Sequence, residues 1–414
     1  MSTPPDFDEA AVGPGRRLSL LEGVRVLDLT HFLAGPFGSM VLADMGASVL
    51  KLEQLSGDSI RRNPVFFHQG DSAYFMAVNR NKDSIAVDLR TDAGQEILRR
   101  LVTGSDVVLD NLRAPQRASL GLSFEDLERI NPKIVCCSIT GFGSDGPYSD
   151  RPAYDLIVEA LGGIMSVTGP VGGPSVRAGV PIGDIVAGLY AAIGILGGLQ
   201  SLRTTGRGTH VDISMLDCQV SLLSYLAQYY LTGGMVASHQ GKAHVSIPTY
   251  NTFVTKDGRE IVIAANTEGM WRSLCQVLGR EDLLDDERFA GNAARLAHRD
   301  DLVPLLQEEM ARHTADELYG ALVDAGVPAA PINPVDAVFA DPQVLHRDMV
   351  VRAPHRGGGD FVTLGSPVKS ERSPGEGFRS PPGLGGQTAQ VLTELGFDAE
   401  EIAELRRAGV VNDG

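Results

Sequence analysis

Cysteine and positive charge are both scarce in this sequence. Its 414 residues contain four cysteines, and 36 lysines and arginines stand against 52 aspartates and glutamates, which leaves a net charge of −16. Such an excess of negative charge repels phosphate backbones and anionic lipid surfaces, so it argues against bulk binding of nucleic acid or of a membrane surface. We expect no nucleic-acid partner and no membrane partner.

Disulfide and metal-binding patterns are missing as well. The cysteines form no C-x-x-C pair, and the adjacent Cys136 and Cys137 lie in an apolar run that is typical of a buried strand. The nine histidines include no H-E-x-x-H motif and no tight cluster with cysteine or aspartate. The sequence therefore predicts reduced thiols, no disulfide scaffold and no metal site.

Sorting signals and membrane spans are also absent from the pattern. Residues 1–20 contain acidic residues and prolines without the apolar core of a secretory signal, so we expect a flexible N-terminal arm on a cytoplasmic protein. Residues 185–202 carry no charge and approach the length of a transmembrane helix. Four glycines dilute the hydrophobicity of this run. It is predicted to be a buried helix that packs closely against a sheet or another subunit.

The glycine loop of dinucleotide-binding proteins is missing after the first predicted strand, and two other common active-site motifs do not occur. The first predicted strand is followed by His31-Phe-Leu-Ala-Gly35-Pro36 instead of the G-x-G-x-x-G loop of dinucleotide-binding proteins. The chain contains neither the G-x-x-x-x-G-K-[ST] loop of P-loop enzymes nor the G-x-S-x-G elbow of serine hydrolases. NAD chemistry, P-loop chemistry and serine-nucleophile chemistry all lose support.

What the sequence does contain is an alternation of short β-rich runs with amphipathic runs in its first half. Alternation of this kind is typical of right-handed βαβ units around a mostly parallel sheet, with sites at the carboxyl ends of the strands. We predict an α/β fold with a Rossmann-like parallel sheet in a large domain. The predicted strands are 24–30, 49–52, 107–110 and 134–139, and the predicted helices are 36–45, 91–103 and 123–130.

From about Thr249 the pattern becomes antiparallel and indicates a smaller α+β domain. Residues 252–256 and 259–264 flank Asp257-Gly258, which favours a hairpin with a type I′ turn. The predicted helices of this domain are 270–278, 300–313 and 315–325, and two more, 388–395 and 398–408, end the chain. The predicted order is an arm at 1–20, a large domain at 21–230, a linker at 231–248, a small domain at 249–351, a Gly/Pro/Ser-rich connector at 352–386 and C-terminal helices within 387–414.

The most suggestive single residue is Asp184, directly before the apolar helix. A carboxylate at a helix start receives amide donors and the positive end of the helix dipole, which favour its ionised form at neutral pH. An ionised carboxylate can act as a nucleophile. It can equally be a simple helix N-cap, and the spacing alone leaves both interpretations open.

A series of ordered motifs resembles the class III (CaiB/BaiF) coenzyme A transferases. The match begins at Leu21, continues through Ala34-Gly35-Pro36 and residues 42–53, and reaches Pro181-Ile-Gly-Asp184 and beyond, so it covers nearly the whole chain. Between these motifs stand further matching segments in the family's order: 57–58 with Arg61, 79–82, 87–89, 111–113, 141–143, 146–148 and 151–155.

The resemblance implies a mechanism and a set of contacts. The aspartate matched by Asp184 attacks an acyl-CoA, and an aspartyl-CoA thioester then passes CoA to an acceptor acid; CoA is a substrate, and no tightly bound cofactor is expected. Arg90 and Arg113 are expected to face CoA phosphates. Gln54 and Ser119 stand where the family often has basic residues, with Arg117 the nearest substitute for the second. The CoA contacts implied are Leu33, Ala34, Val87, Leu89, Arg90, Asn111, Leu112, Arg113, Pro152, Ala153, Tyr154 and Asp155.

Other activities remain alternatives at this point. The α-methylacyl-CoA racemases share the family's fold and need a second acid/base group, usually a histidine, where this chain has Tyr154; a neutral phenol is a poor base at neutral pH. A CoA-binding protein without catalysis and a thioester hydrolase are further alternatives. Leu33 and residues 241–244 depart from the formyl/oxalyl branch, so a dicarboxylate acceptor with succinyl-CoA as donor is expected, and Lys242 and His244 are candidates to bind its distal carboxylate.

The resemblance also implies an assembly. Members of the family form an interlocked homodimer in which each subunit is a ring threaded by its partner, and the large domain is built from both chain ends. The segments 231–248 and 352–386 are long and polar enough to close such a ring.

Overall fold

The computed structural model describes residues 12–63 and 65–413. The chain forms two compact units. The first contains the chain up to Ile164, Arg177–Gln228 and the chain from Asp341 onward, and the second contains Met165–Val176 and Tyr229–Ala340. The short segment Met165–Val176 belongs to the second unit, although the sequence pattern placed it in the large domain.

The described strands and helices follow one another along the chain as mixed α and β structure. The strands are β1 Arg16–Leu18, β2 Arg25–Asp28, β3 Ser48–Glu53, β4 Phe67–His68, β5 Asp71–Ser72, β6 Lys82–Val87, β7 Val107–Asp110, β8 Val135–Thr140, β9 Thr209–Ser214, β10 Tyr250–Val254, β11 Glu260–Ala264, β12 Ala329–Pro331, β13 Val350–Pro354, β14 Asp360–Leu364, β15 Pro374–Gly377 and β16 Val411–Asn412. The helices are α1 Ala34–Asp44, α2 Ala73–Asn79, α3 Asp92–Thr103, α4 Ala114–Ser119, α5 Phe124–Ile130, α6 Asp155–Leu161, α7 Ile164–Val167, α8 Ile182–Thr205, α9 Met215–Leu222, α10 Ser224–Gly233, α11 Glu268–Val277, α12 Asn292–Ala297, α13 Arg299–Met310, α14 Ala315–Asp324, α15 Val335–Val338, α16 Pro342–His346, α17 Thr388–Glu394 and α18 Ala399–Arg407.

A seven-stranded sheet forms the centre of the first unit. Its order is β16-β6-β3-β2-β7-β8-β9, and every neighbouring pair is parallel except β16 with β6, where Val411 lies opposite Val87. The predicted mostly parallel sheet is therefore confirmed. Strands β6, β9 and β16 were not foreseen as strands.

Two apolar cores cover the faces of this sheet. On one face the sheet packs against α3, α5, α17 and α18 through buried residues such as Leu98, Leu127 and Leu392. On the other face it packs against α1, α8 and α9, with Leu42 and Ala191 in the core. A parallel sheet needs such cover on both faces because its strands are apolar on both.

Helices α1 and α8 approach each other so closely that only glycine fits between them. A Cβ atom at Gly188 would lie 2.4 Å from the Ala34 carbonyl oxygen, and one at Gly38 would lie 2.7 Å from the Gly188 carbonyl oxygen. By length and composition alone, α8 is apolar enough to cross a membrane. The predicted burial holds for one face only, since Ile193 on the other face is 62% exposed.

The second unit contains the predicted hairpin. Strands β10 and β11 pair antiparallel, β12 joins β11, and the sheet packs on α11, α13 and α14 around Trp271 and Leu306. The predicted type I′ turn is wrong. Gly258 has a φ of +77°, but Asp257 has no positive φ, and the loop closes by a hydrogen bond from the Thr255 amide to the Arg259 carbonyl. The Asp257 carboxylate instead accepts a bond from the Thr255 hydroxyl.

Two segments expected to be irregular form strands. Residues 1–11 of the predicted arm lie outside the described residues, but β1 in its second part pairs antiparallel with β15. The predicted connector contains β14, which pairs with β13, and then β15. The reason is burial: Phe361 and Phe378 form a small core with Met76, Val351 and Ala353, and the Gly/Pro/Ser content of the segment concealed these apolar positions.

We expect Gly188→Ala to lower the free energy of unfolding by about 1–3 kcal/mol, because the new methyl group meets the rigid backbone of Ala34. The matched control is Gly197→Ala in the same helix, where a Cβ atom meets nothing within 4 Å. That change should be neutral or stabilising by up to about 1 kcal/mol, since alanine favours the helix. Chemical denaturation measures both, and equal effects would contradict the close contact of α1 with α8.

Candidate active site

Asp184 is the third residue of α8, not its N-cap. The N-cap residue is Pro181, whose ring has no atom that can accept a hydrogen bond. The capping acceptor comes from another helix: Oδ1 of Asp155, the first residue of α6, accepts hydrogen bonds from the amides of Gly183 at 2.7 Å and Asp184 at 3.3 Å. The N-cap alternative for Asp184 is therefore wrong, and its carboxylate is not committed to the helix start.

Gly183 makes this cap possible. A Cβ atom at that position would lie 2.9 Å from Asp155 Oδ1 and 3.0 Å from a methyl group of Val158. Any other residue would therefore push α6 away from the first turn of α8. The Gly183-Asp184 pair that stood out in the sequence combines a close backbone approach with the carboxylate next to it.

Burial, followed by the charge of Asp155, raises the pKa of Asp184 to about 7. Among the residues that the structure describes, none offsets this with a hydrogen bond or a positive charge on the Asp184 carboxylate. The helix start does not keep the pKa of Asp184 in the range of an ordinary aspartate, as the sequence suggested, because the loss of solvation raises it.

A cavity of about 750 Å³ lies at the carboxyl ends of the central strands. The loops after β2, β3, β6 and β7 form its walls, as expected for an open α/β sheet. Four of the implied CoA contacts line it: Val87, Leu89, Arg90 and Leu112. The cavity has the size expected for a small-molecule site.

The floor of the cavity is a buried ion network that the list of implied contacts missed. Lys51 is fully buried, donates to the Thr30 carbonyl at 2.6 Å and lies 3.3 Å from Asp58. Glu53 accepts hydrogen bonds from Arg61 at 2.8 and 2.6 Å. These residues belong to the motifs that carried the resemblance, so the signal for them was present. The network fixes the loop after β3 along the cavity.

Asn111 joins two of the loops. Its side-chain oxygen accepts from the His31 amide at 3.0 Å, and its nitrogen donates to the His31 carbonyl at 2.8 Å. Leu33 and Ala34 are buried where α1 begins and do not line the cavity. Arg113 is exposed at the start of α4.

Tyr154 connects the cavity with Asp184. Pro152 and Ala153 lead the chain into α6, and Tyr154 directly precedes Asp155. The Tyr154 ring is 67% exposed and meets the edge of Phe32, which lines the cavity, at 6.4 Å between ring centres. Phe32 thus contacts Tyr154, and Tyr154 is followed in sequence by Asp155, the residue that caps α8.

The arginines considered for binding CoA phosphates differ in their position: Arg90 lines the cavity, whereas Arg117 does not. Arg90 is at the rim of the cavity, where its guanidinium makes two bonds of 2.8 Å to Asp88 and remains largely exposed. Arg117 does not substitute for the basic residue missing near Ser119, because it is buried and lies 3.3 Å from Asp110. No group of three or more histidine, cysteine, aspartate or glutamate side chains suited to a metal occurs among residues 12–63 and 65–413.

Comparisons with known proteins agree on one family. The profile of CoA-transferase family III matches residues 21–388. A human protein named succinyl-CoA:glutarate CoA-transferase is 39% identical over 394 residues, which are 95% of this chain and 90% of that protein. A succinyl-CoA:mesaconate CoA-transferase of Haloarcula hispanica is 38% identical and covers 92% of this chain and 97% of its own.

A solved structure agrees with these relatives. The crystal structure of a CaiB/BaiF family protein from Brucella suis superposes with a TM-score of 0.82 at 38% identity, covering 92% of this chain and 100% of that one. An α/β protein with an uncommitted aspartate in the first turn of α8, and with a cavity at the carboxyl ends of its parallel strands, fits such a family. The chain belongs to CoA-transferase family III, and the class III assignment made from its motifs is confirmed.

The raised pKa of Asp184 has a consequence for stability. The unfolded chain releases this proton near pH 3.8, whereas the folded chain holds it to about pH 7, so the free energy of unfolding falls as the pH rises through this window. We expect Asp184→Asn to be more stable than the wild type at pH 8, by a few kcal/mol at most, with the difference vanishing near pH 4.

Denaturation at a series of pH values measures this difference. Asp217→Asn is the control, since Asp217 is an exposed aspartate at the corresponding position in the first turn of α9. It separates the effect of burial from the loss of a charge as such. A difference between Asp184→Asn and wild type that stays constant from pH 4 to pH 8 would contradict protonation driven by burial.

Proposed function

We propose that this protein transfers CoA from succinyl-CoA to a dicarboxylic acid through an aspartyl-CoA thioester on Asp184. The observation that carries the proposal is the Asp184 carboxylate, which is largely buried, is held in place through its backbone by Asp155, and has a side chain free to react. The names of the relatives support the donor and the class of acceptor, since succinate, glutarate and mesaconate are all dicarboxylates.

The reaction proceeds by two exchanges at the same carboxyl group. Ionised Asp184 attacks the thioester carbonyl, the C–S bond breaks, and a mixed anhydride and CoA thiolate form. The thiolate then attacks the Asp184 carbonyl, which releases the donor acid and leaves the aspartyl-CoA thioester. The acceptor carboxylate attacks this thioester, and the released thiolate attacks the acceptor's carbonyl in the second anhydride. The product is a new acyl-CoA, and Asp184 is again a carboxylate.

A pKa of about 7 suits this role. A more basic carboxylate is a stronger nucleophile, and at this pKa a large share of it is still ionised at neutral pH. The burial that raises the pKa also limits water, which would otherwise hydrolyse the anhydride. A thioester hydrolase would instead need a site that admits water to the thioester or the anhydride. The racemase alternative gains no support, because Tyr154 occupies the position of the second acid/base group.

The second unit offers candidates for the distal carboxylate of the acceptor. Lys242 lies 3.6 Å from Glu260 and its side chain is 56% exposed. His244 stacks on Tyr250 with ring centres 5.5 Å apart, and its carbonyl accepts a bond from Arg299.

The proposal includes an interlocked homodimer. The outer face of α8 exposes Leu189, Tyr190 and Ile193, and Val220 of α9 is exposed as well. An apolar patch of this kind on a soluble enzyme is typical of a subunit interface. The buried, unpaired state of all four cysteines supports a reducing compartment, and we propose the cytoplasm.

Intact-mass spectrometry tests the covalent step. After incubation with succinyl-CoA, we expect the mass of one CoA on the wild type, located on the peptide that contains Asp184 and removed by hydroxylamine. Asp184→Asn should form no adduct, whereas the control Asp217→Asn should form it as the wild type does. An adduct on another residue, or none with any acyl-CoA of a panel of dicarboxylic acids, would refute the proposed intermediate.

Sedimentation tests the assembly. We expect the wild type to sediment at twice the 44.0 kDa of the chain. Ile193→Asp places a charge in the proposed interface and should shift the protein toward monomer or aggregate, because an unpaired charge in an apolar interface is costly. Glu125→Lys on the exposed side of α5 is the control and should leave the mass unchanged. A wild-type monomer would contradict the proposed dimer.

A further inference from the structure

Glu159 is a buried acid with no assigned role. It lies one helical turn after Asp155 on α6, so the two side chains share a face of the helix, and its side chain has no solvent exposure. Its Oε2 atom accepts a hydrogen bond from the Ala178 amide at 2.9 Å. Its Oε1 atom is buried without any hydrogen-bond donor among the described residues. An ionised carboxylate with an unpaired oxygen in the interior is strongly unfavourable.

The side chain within hydrogen-bonding reach of Glu159 is that of Asp155. Two ionised carboxylates offer only acceptors, so this contact needs a proton on one of them. Asp155 Oδ1 already receives two amide donors from α8, which stabilise its ionised form. Glu159 is the more deeply buried of the two and has the free oxygen. The proton therefore belongs on Oε1 of Glu159.

The electrostatic surroundings agree with this assignment. Burial raises the pKa of Glu159, the Ala178 amide lowers it, and the Asp155 carboxyl raises it again. The charge of Arg177 opposes the shift only as a minor contribution. Helix α8 brings Asp184, whose pKa is raised to about 7, and α9 brings the uncharged amide of Gln219.

We propose that Glu159 stays protonated throughout turnover and donates a hydrogen bond from Oε1 to Asp155, so that this carboxyl–carboxylate pair is the positioning unit that holds the start of α8 and the nucleophile Asp184. The inference rests on the proposed function of Asp184. No proton is exchanged during the reaction, because the pair takes its proton from solvent and retains it. Glu159 acts through Asp155 and is not itself a catalytic residue.

The protonated state of Glu159 matters for the nucleophile. If Glu159 were ionised, its charge would add to that of Asp155 near Asp184 and would keep the nucleophile protonated at neutral pH. A neutral Glu159 limits the negative charge next to Asp184 to one unit. It also gives Asp155 a side-chain donor in addition to the two amides of α8, which fixes the orientation of its carboxylate.

Glu159→Gln is the decisive variant, because a glutamine amide has the shape and the donor of a protonated glutamate. Its oxygen can still accept from Ala178 while its NH₂ group donates to Asp155. We expect the rate of CoA-adduct formation to stay within about twofold of the wild type, and the midpoint of its pH profile to stay near 7. A midpoint lowered by about one pH unit would show that a negative charge had been removed, and it would overturn the proposal.

Infrared difference spectroscopy of the free enzyme gives a readout that does not depend on turnover. The spectrum at pH 8, above the Asp184 transition, should contain the carbonyl stretch of a protonated carboxyl group, and Glu159→Gln should lose it. Glu125→Gln, at an exposed glutamate of α5, is the control and should retain it. Absence of the band from the wild type, or its persistence in Glu159→Gln, would overturn the proposal even if the transferase activity is confirmed.

Glu159→Ala completes the series. It removes the donor, and we expect adduct formation to fall at least tenfold while Glu159→Gln restores it. A folded Glu159→Ala enzyme with the wild-type rate would show that Asp155 needs no donor and would refute the positioning role. If this variant does not fold, the pH profile and the infrared band of Glu159→Gln still decide the question. If no variant forms an adduct, the proposed function fails while the infrared result still locates the proton.

Discussion

The hydrogen bonds from the amides of Gly183 and Asp184 to one oxygen of Asp155 are the contact on which the site depends. A helix start needs an acceptor for its first amides, and the usual solution is the side chain of the N-cap residue. Here the N-cap is Pro181, so the acceptor comes from α6. Because the capping carboxylate belongs to Asp155, the start of α8 is capped while the Asp184 side chain stays uncommitted.

The electrostatics of two buried aspartates show what this separation achieves. Asp28 is fully buried, but Lys82 and Lys51 lie beside it and hydroxyls of Ser39 and Thr30 donate to it, so its pKa is lowered although burial alone would raise it. Asp184 is only partly buried, but its charged neighbour is another carboxylate, so burial and this neighbour together raise its pKa. Asp28 is a structural ion, whereas Asp184 is poised between its two protonation states.

Much of the large sheet could be predicted from local pattern, because an apolar strand followed by an amphipathic helix repeats several times. Ser123 as the cap of α5 and the extent of α3 are examples. Strand β6 escaped prediction because its first residues, Lys82 and Ser84, are polar yet buried, with partners that come from distant parts of the chain. A polar residue that is paired inside the protein looks the same in sequence as one on the surface.

In the candidate site, too, features that depend on neighbouring residues in sequence could be predicted, and features that depend on tertiary contacts could not. Asp184 was identified because its motif is local. The raised pKa of Asp184 was not predicted, because it depends on burial and on Asp155, which lies on another helix. Glu159 gave no signal, because a glutamate in a short helix is ordinary in sequence, and only the packing around α6 shows that its free oxygen has no donor.

The cavity and helix α8, which carries Asp184, are connected mainly through backbone contacts. The loop after β2 lines the cavity and leads directly into α1, and the first turn of α1 carries the carbonyl that meets Gly188 of α8. A displacement of about 1 Å between reacting groups can slow a reaction strongly. A contact between two helix backbones at Gly38 and Gly188 leaves no side chain to rearrange, so the rigid pair α1 and α8 fixes the position of Asp184 relative to the loop after β2. The small residues of α8, which in the sequence resembled a weak membrane span, are thus the means by which the fold fixes the position of Asp184.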